Sequence, residues 1–432
     1  MEGKVNNKFS NLPIGWEVKK LKDVAINCGD YGANAPALPY KTGDVRYIRI
    51  TDIDDYGHLI SEDKVSLDET IAQNYLLKDN DILFARTGDT VGKSLLYKSY
   101  MGRAAYAGYL IRFTLDEKLI LPEYFDAIAK SDIFEAFKIS MKRIGAKPNI
   151  NSREYGIFRF PMPLNLDEQK GIAKLFTKVD KAIASVQNSI AAAERLKKSL
   201  MQNLLTGKMK PDGTYRTPDE FYIDEKFGKV PIGWEVKSID EISDFVQYGL
   251  NISSSDNGQI PMLRMNNIVN GEMSDSPLVY VNLNDQLLQQ YELEAGDILF
   301  NRTNSMDLVG KVGVFRLMGK YVFASYLIRV RVSKKNNPYY INLALNSYPI
   351  QCSLRSKATP AVSQANINSK SLRHTQIFKP KKKDEQDLVM SKIEEVEHVI
   401  LQKNDKVKKL EQLKKSLMQN LLTGKIKIDK DI

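Results

Sequence analysis

Residues 196–210 read LKKSLMQNLLTGKMK and residues 413–427 read LKKSLMQNLLTGKIK, identical at all but one position. The stretches lie 413 − 196 = 217 residues apart, close to half of the 432-residue chain. Other matches fall at nearly the same offset and in the same order. PIGWEV begins at Pro13 and Pro231, DILF at Asp81 and Asp297, YLIR at Tyr109 and Tyr326, NINS at Asn149 and Asn366, and DEQ at Asp167 and Asp384. A period this long exceeds any solenoid repeat, so the repeated unit is a domain with an appendage.

The appendage is helical. Apolar residues recur in steps of three and four through Phe176, Val179, Ile183, Val186, Ile190, Leu200 and Leu204, a sustained heptad seam. Asp167 and Glu168 suit the positive end of a helix, and Gly207 suits its C-terminal cap. The second copy repeats the seam with Ile393, Val396, Ile400, Val407, Leu410, Leu417 and Leu421, ends at Gly424, and is interrupted by Lys403. Roughly 38 residues at about 1.5 Å each give a helix on the order of 57 Å long. Its apolar stripe must be covered, and the other copy is the available partner. Chain direction makes that pairing antiparallel.

The segments between are rich in short β-branched and aromatic runs bounded by Gly, Asp or Asn, such as VRYIRI at Val45–Ile50, DILFAR at Asp81–Arg86 and YLIRFT at Tyr109–Thr114. Pro122 and Pro338 fit the first position of helices. The expected fold class is therefore α/β. Two mixed α/β domains related by a pseudo-twofold axis are separated by a long antiparallel two-helix coiled-coil spacer. The expected boundaries are domain one at 1–165, helix one at 166–207, a linker at 208–229, domain two at 230–382, helix two at 383–424 and a tail at 425–432.

Lys and Arg outnumber Asp and Glu 63 to 53, for a net charge of +10, which favours a polyanionic partner. No apolar signal core opens the sequence and no run approaches 18 apolar residues, so the expectation is a soluble protein of the cytoplasm with no membrane partner. Cys28 and Cys352 lie in different halves, which argues against disulfides or a zinc cluster and suggests buried thiols. His58, His374 and His398 are too dispersed for a ligand set or a triad.

Two motifs touch on catalysis and neither holds. Asn337-Pro338-Tyr339-Tyr340 resembles the loop with which DNA amino-methyltransferases grip a flipped base. Its duplicate is Leu121-Pro122-Glu123-Tyr124, no methyl-donor loop precedes it, and a helix start explains both copies. Pro211-Asp212 followed by Asp224-Glu225-Lys226 matches a nuclease outline, but it falls in a Gly/Pro/Asp-rich linker that copy one lacks.

The candidate DNA contacts are cationic or polar and sit where the copies differ. Arg86 and Thr87, and Arg302 and Asn304, follow the DILF strands, where an arginine suits a guanine edge, a phosphate or a structural role. Lys142, Arg143 and Lys147 in ISMKRIGAKP, and Arg355, Lys357 and Gln364 in LRSKATPAVSQ, belong to basic loops that differ although their flanks match. Divergence also covers Cys28–Arg46 against Gln247–Met262. Two half-sites of different sequence would produce this split, and so would drift in loops.

With these landmarks in this order, twice, the chain resembles the specificity (S) subunits of type I restriction-modification systems over essentially its whole length. The one departure is Asn80, where copy two has Gly296 before DILF. The resemblance implies a non-catalytic reader of double-stranded DNA, each domain binding one half of a bipartite site and the helices fixing the gap. It implies no cofactor on this chain, two modification subunits carrying S-adenosylmethionine, and two restriction subunits using ATP and Mg. A fused methyltransferase or nuclease would need a donor loop or metal site. A coiled-coil adaptor would not need divergent basic loops.

Overall fold

The computed structural model describes residues 9, 12–141, 148–255, 257–305, 309–360 and 365–428. It forms two compact units, Met1–Asn188 with Asn404–Ile432, and Ser189–Lys403. Each unit holds one globular domain, the first part of the long helix that follows it, and the last part of the other long helix.

In the first unit, strand Asp81–Ala85 is buried at every position and lies between Leu110–Thr114 and Ser94–Leu96. A strand covered on both faces needs no polar alternation, which is why DILF reads as an apolar run. A second sheet joins Arg46–Ile48 in parallel to Ala104–Tyr106. In the second unit, Ile298–Asn301 lies between Leu327–Val332 and Val312–Val314, and Ile260–Leu263 runs parallel to Val322–Phe323. The strand expected over 45–50 stops at Ile48, because Asp52 accepts the Arg49 N–H at 2.8 Å and folds Ile50–Asp52 into a 3-10 turn. Asn80 and Gly296 share a left-handed backbone, φ 72° and 94°, so asparagine fills the glycine position at small cost.

The matched motifs find one another. Asp81 and Asp297, the buried acids of DILF, face the arginines of YLIR, with Arg112 at 3.8 Å and Arg329 at 3.6 Å. The Trp16 indole N–H donates to Glu168 at 3.0 Å, and Trp234 does the same to Glu385 at 2.9 Å, joining PIGWEV to DEQ. The neighbouring glutamine is fully buried in both copies. Gln169 accepts from the Leu121 N–H and donates to the Pro163 and Leu119 carbonyls, while Gln386 accepts from the Asn337 N–H and donates to Pro380 and Asn336. Each long helix is thereby anchored to its own domain where it begins.

The helices are Leu166–Leu204 and Lys383–Leu421. Their pairing is antiparallel in each unit. Asp180 meets Lys414 at 2.6 Å in the first and Lys197 meets Glu397 at 2.6 Å in the second, and 180 + 414 and 197 + 397 both equal 594. Exposed pairs of this kind add little stability but mark the register. Phe176, Val179, Leu204, Ile393 and Leu421 are buried beside the domains, whereas Ile183, Val186, Ile190, Leu200, Val396, Ile400, Val407, Leu410 and Leu417 are half-buried. A single partner helix covers only one side of each seam.

The far end of each helix completes the other copy's core. Leu421 and Leu422 join the cluster of Trp16 and Phe176, and Leu204 and Leu205 join that of Val389 and Ile393. Gly424 and Gly207 hold φ of 71° and 66° against Pro13 and Pro231. LLTGK and PIGW are matched between copies because they touch.

Three expectations change or gain detail. Cys28 and Cys352 are exposed, not buried, the first in a loop and the second on the outer face of helix Tyr348–Arg355. The 208–229 segment carries structure of its own: Phe221–Asp224 pairs with Gly228–Pro231, and Arg216 bonds Glu385 at 2.8 Å while stacking on Trp234. Asp212 and Asp224 accept nearby backbone N–H groups in turns, and Asn337 caps helix Pro338–Asn346. Among the described residues no group of acids, histidines or cysteines could hold a metal, and no helix is long and apolar enough to cross a membrane.

Candidate nucleic-acid interface

In each unit five loops meet at one end of the sheets, held by the same hydrogen bonds. In the first unit, Ala33 donates to Tyr106 O, Gly108 to Ala33 O, Ala107 to Ile48 O, Arg86 to Tyr109 O and Ile150 to Arg86 O. In the second, Leu250 donates to Phe323 O, Ser325 to Leu250 O, Ala324 to Leu263 O, Arg302 to Tyr326 O and Ile367 to Arg302 O. The backbone scaffold is duplicated bond for bond.

On this scaffold lies a matched side-chain pair. The Arg86 guanidinium sits 4.9 Å from the Tyr31 ring centroid, and Arg302 sits 5.0 Å from Tyr248. Each tyrosine hydroxyl accepts a backbone N–H from the NINS loop, Ser152 at 3.2 Å and Ser369 at 2.8 Å. Both tyrosines are 40% exposed, and Tyr109 and Tyr326 beside them are 59% and 49% exposed. The Nε atoms of Arg86 and Arg302 are buried without a hydrogen-bond partner among the described residues. An arginine flattened on an aromatic ring is oriented, retains its charge, and presents N–H donors outward.

Tyr31 and Tyr248 were not among the sequence-derived candidates. The available signal is Tyr-Gly-x-Asn at Tyr31–Asn34 and Tyr248–Asn251, offset 248 − 31 = 217, inside stretches that otherwise differ. The glycine is required by close approach, since a Cβ at Gly32 or Gly249 would lie 2.3 Å from the carbonyl oxygen of Tyr106 or Ala324.

Thr87 bridges to Asn149, and Thr303 pairs with Asn366, whose amide donates to Thr303 Oγ1 at 3.2 Å. Asn304 follows in copy two and points its amide at the Met265 sulfur, 3.6 Å away. Arg86, Thr87, Arg302 and Asn304 therefore belong to the loop clusters. Arg355 is exposed at the end of its helix, with no side-chain hydrogen bond or ion pair to the cluster among the described residues. Lys357 is engaged internally: its Nζ donates to Thr375 Oγ1 at 3.1 Å, and burial, then Lys226, pull its ammonium below the usual lysine range. Lys142, Arg143, Lys147 and Gln364 lie outside the described residues.

The chain belongs to a defined family: residues 13–195 and 231–413 each match the type I restriction modification DNA specificity domain. It is similar to the type I restriction enzyme MjaVIII specificity subunit of Methanocaldococcus jannaschii, 24% identical over 82% of this chain and 80% of that one. It is also similar to the EcoKI specificity subunit of Escherichia coli K12, 23% identical over 88% and 81%. Its fold matches a solved chain from work on complex assembly and conformational transition of the type I R-M system, with TM-score 0.58 and 15% identity, over 96% of this chain and all of that one. Members of this family are non-catalytic specificity subunits, and a specificity subunit implies DNA and the other subunits of its complex as partners.

Proposed function

We propose that each domain, 1–165 and 230–382, reads one half of an asymmetric bipartite site in double-stranded DNA. The antiparallel helices, 166–207 and 383–424, set the unspecified gap. The observation that carries this reading is the duplicated loop scaffold, on which Arg86 on Tyr31 and Arg302 on Tyr248 repeat while their neighbours differ. A group common to both copies cannot distinguish two different half-sites. Arg86 and Arg302 therefore contact the sugar-phosphate backbone, and the residues that differ, Gly88 against Asn304 among them, face base edges. Lys142, Arg143, Lys147, Arg355 and Gln364 add loop contacts on the same reading, and Lys357 holds its loop in place.

The identity of LKKSLMQNLLTGK in both copies extends to exposed side chains. Leu196 and Leu413 are 51% and 48% exposed, and internal packing does not demand that they match. Two copies of one partner do demand it, and these faces dock two modification subunits that carry S-adenosylmethionine and methylate adenine. Two restriction subunits using ATP and Mg complete the enzyme, in the cytoplasm. The test is methylation mapping of DNA from cells expressing this chain with its modification subunit. Methylated adenines confined to a two-part motif with a fixed gap are expected; methylation that does not depend on the chain, with the partner active and assembled, refutes the reading.

A further inference from the structure

One pair of matched residues in the loop clusters breaks the duplication, and it is a pair of arginines. Arg49 and Arg264 each open the turn after a strand, and each donates its backbone N–H at 2.8 Å to the residue three positions on, Asp52 or Asn267. Asp52 has a second function. Its carboxylate grips the Arg49 side chain in a bidentate pair, Nε at 3.1 Å and an Nη at 2.8 Å, and the same Nη reaches the Asp63 carbonyl at 3.1 Å. In copy two the second oxygen is replaced by the Asn267 amide nitrogen, which donates to the Ser274 and Pro277 carbonyls at 3.0 and 2.9 Å. A donor cannot receive a guanidinium. Arg264 has no ion pair and no side-chain hydrogen bond among the described residues, and its Nε is buried without a partner.

Arg264 stands within the cluster. Leu263 pairs in register with Phe323, which leads into Ser325 and Tyr326, and the Ser325 and Tyr326 carbonyls bond Arg302. Met265, next to Arg264, receives the Asn304 amide. One end of the second unit thus carries two arginines of different status. Arg302 is shared with copy one and held on Tyr248; Arg264 is released in copy two alone.

Resting on the DNA-reading proposal above, we infer that Arg264 is a specificity-determining residue, reading one guanine through its O6 and N7 in the half-site bound by the second unit, and that Asp52 silences the same position in the first. A backbone contact is expected in both copies, as Arg86 and Arg302 are, whereas a base contact is expected where the copies differ. Bidentate pairing with guanine is the commonest specific use of an unpaired guanidinium in a major groove.

The test uses this chain assembled with its modification subunits, with the methylated motif mapped for wild type, Arg264→Gln and Arg264→Lys. Neither substitution removes an internal bond, and the half-site of the first unit reports assembly in the same experiment. Both variants are expected to relax one G·C position of the second half-site by about tenfold or more, leaving the first half-site and the gap unchanged. An unchanged motif in both variants, or full restoration by lysine, which supplies charge without the two-pronged geometry, would overturn the inference. Absence of any two-part motif in wild type would instead overturn the DNA-reading proposal, and this inference with it.

Discussion

The guanidinium of Arg302 lies 5.0 Å from the ring centroid of Tyr248, and the Tyr248 hydroxyl receives the Ser369 N–H at 2.8 Å, so one tyrosine ties the arginine to the NINS loop. Tyr31 does the same for Arg86 through Ser152. A charge held identically in two domains suits a feature common to any duplex, its phosphates.

Arg86→Gln and Arg302→Gln should therefore each weaken binding to all DNA sequences and lower the slope of log affinity against log salt by about 1. The methylated motif should stay the same. Fluorescence anisotropy of the assembled complex over a salt series measures the slope, and an unaltered slope would show that these arginines do not meet phosphate.

Asp52→Asn should release Arg49 as Asn267 leaves Arg264. The expected outcome is an added or altered guanine preference at one position of the first half-site, read by methylation mapping. Identical mapping in the variant would mean that Arg49 faces away from the bases.

Gln169→Ala should strand the Leu121 N–H and the carbonyls of Leu119 and Pro163 in a buried site. At about 1–3 kcal/mol for each buried group left without a partner, the loss is on the order of 3 kcal/mol or more. Urea denaturation resolves this, and a loss under about 1 kcal/mol would mean that water replaces the amide.

Gly207→Ala should destabilise the second unit specifically. Its backbone is left-handed at φ 66°, and a Cβ would lie 2.2 Å from Pro231 Cγ. Backbone strain alone costs about 1 kcal/mol or more. Hydrogen exchange should rise within 189–403 and stay unchanged in 12–141; uniform change across both would count against the local origin.

Four residues inserted into both long helices, about 6 Å of rise, should widen the gap between half-sites by about two base pairs at about 3.4 Å each. Methylation mapping with a randomised gap checks it, and an unchanged gap would remove the helices from any measuring role.

The sequence by itself determined the duplication, the two long helices with their antiparallel pairing, and the α/β character of the domains. Each of these follows from local periodicity or from matches at one offset, which need no knowledge of what touches what. The helix starts at Pro122 and Pro338 were legible for the same reason. The tertiary structure alone decided which matched motif binds which: Trp16 with Glu168, Asp81 with Arg112, Gly424 with Pro13. It also sorted the arginines and lysines. Lys357 and Arg264 are equally basic in a sequence, yet one is engaged by Thr375 and the other is left unpaired among the described residues. Trp16 and Glu168 meet across 152 residues, and no pattern along the chain reports such a pairing. At Arg49 and Arg264 the deciding residue is only three positions on, but its side-chain bonds appear only in the fold, where oxygen in Asp52 holds the arginine and nitrogen in Asn267 does not.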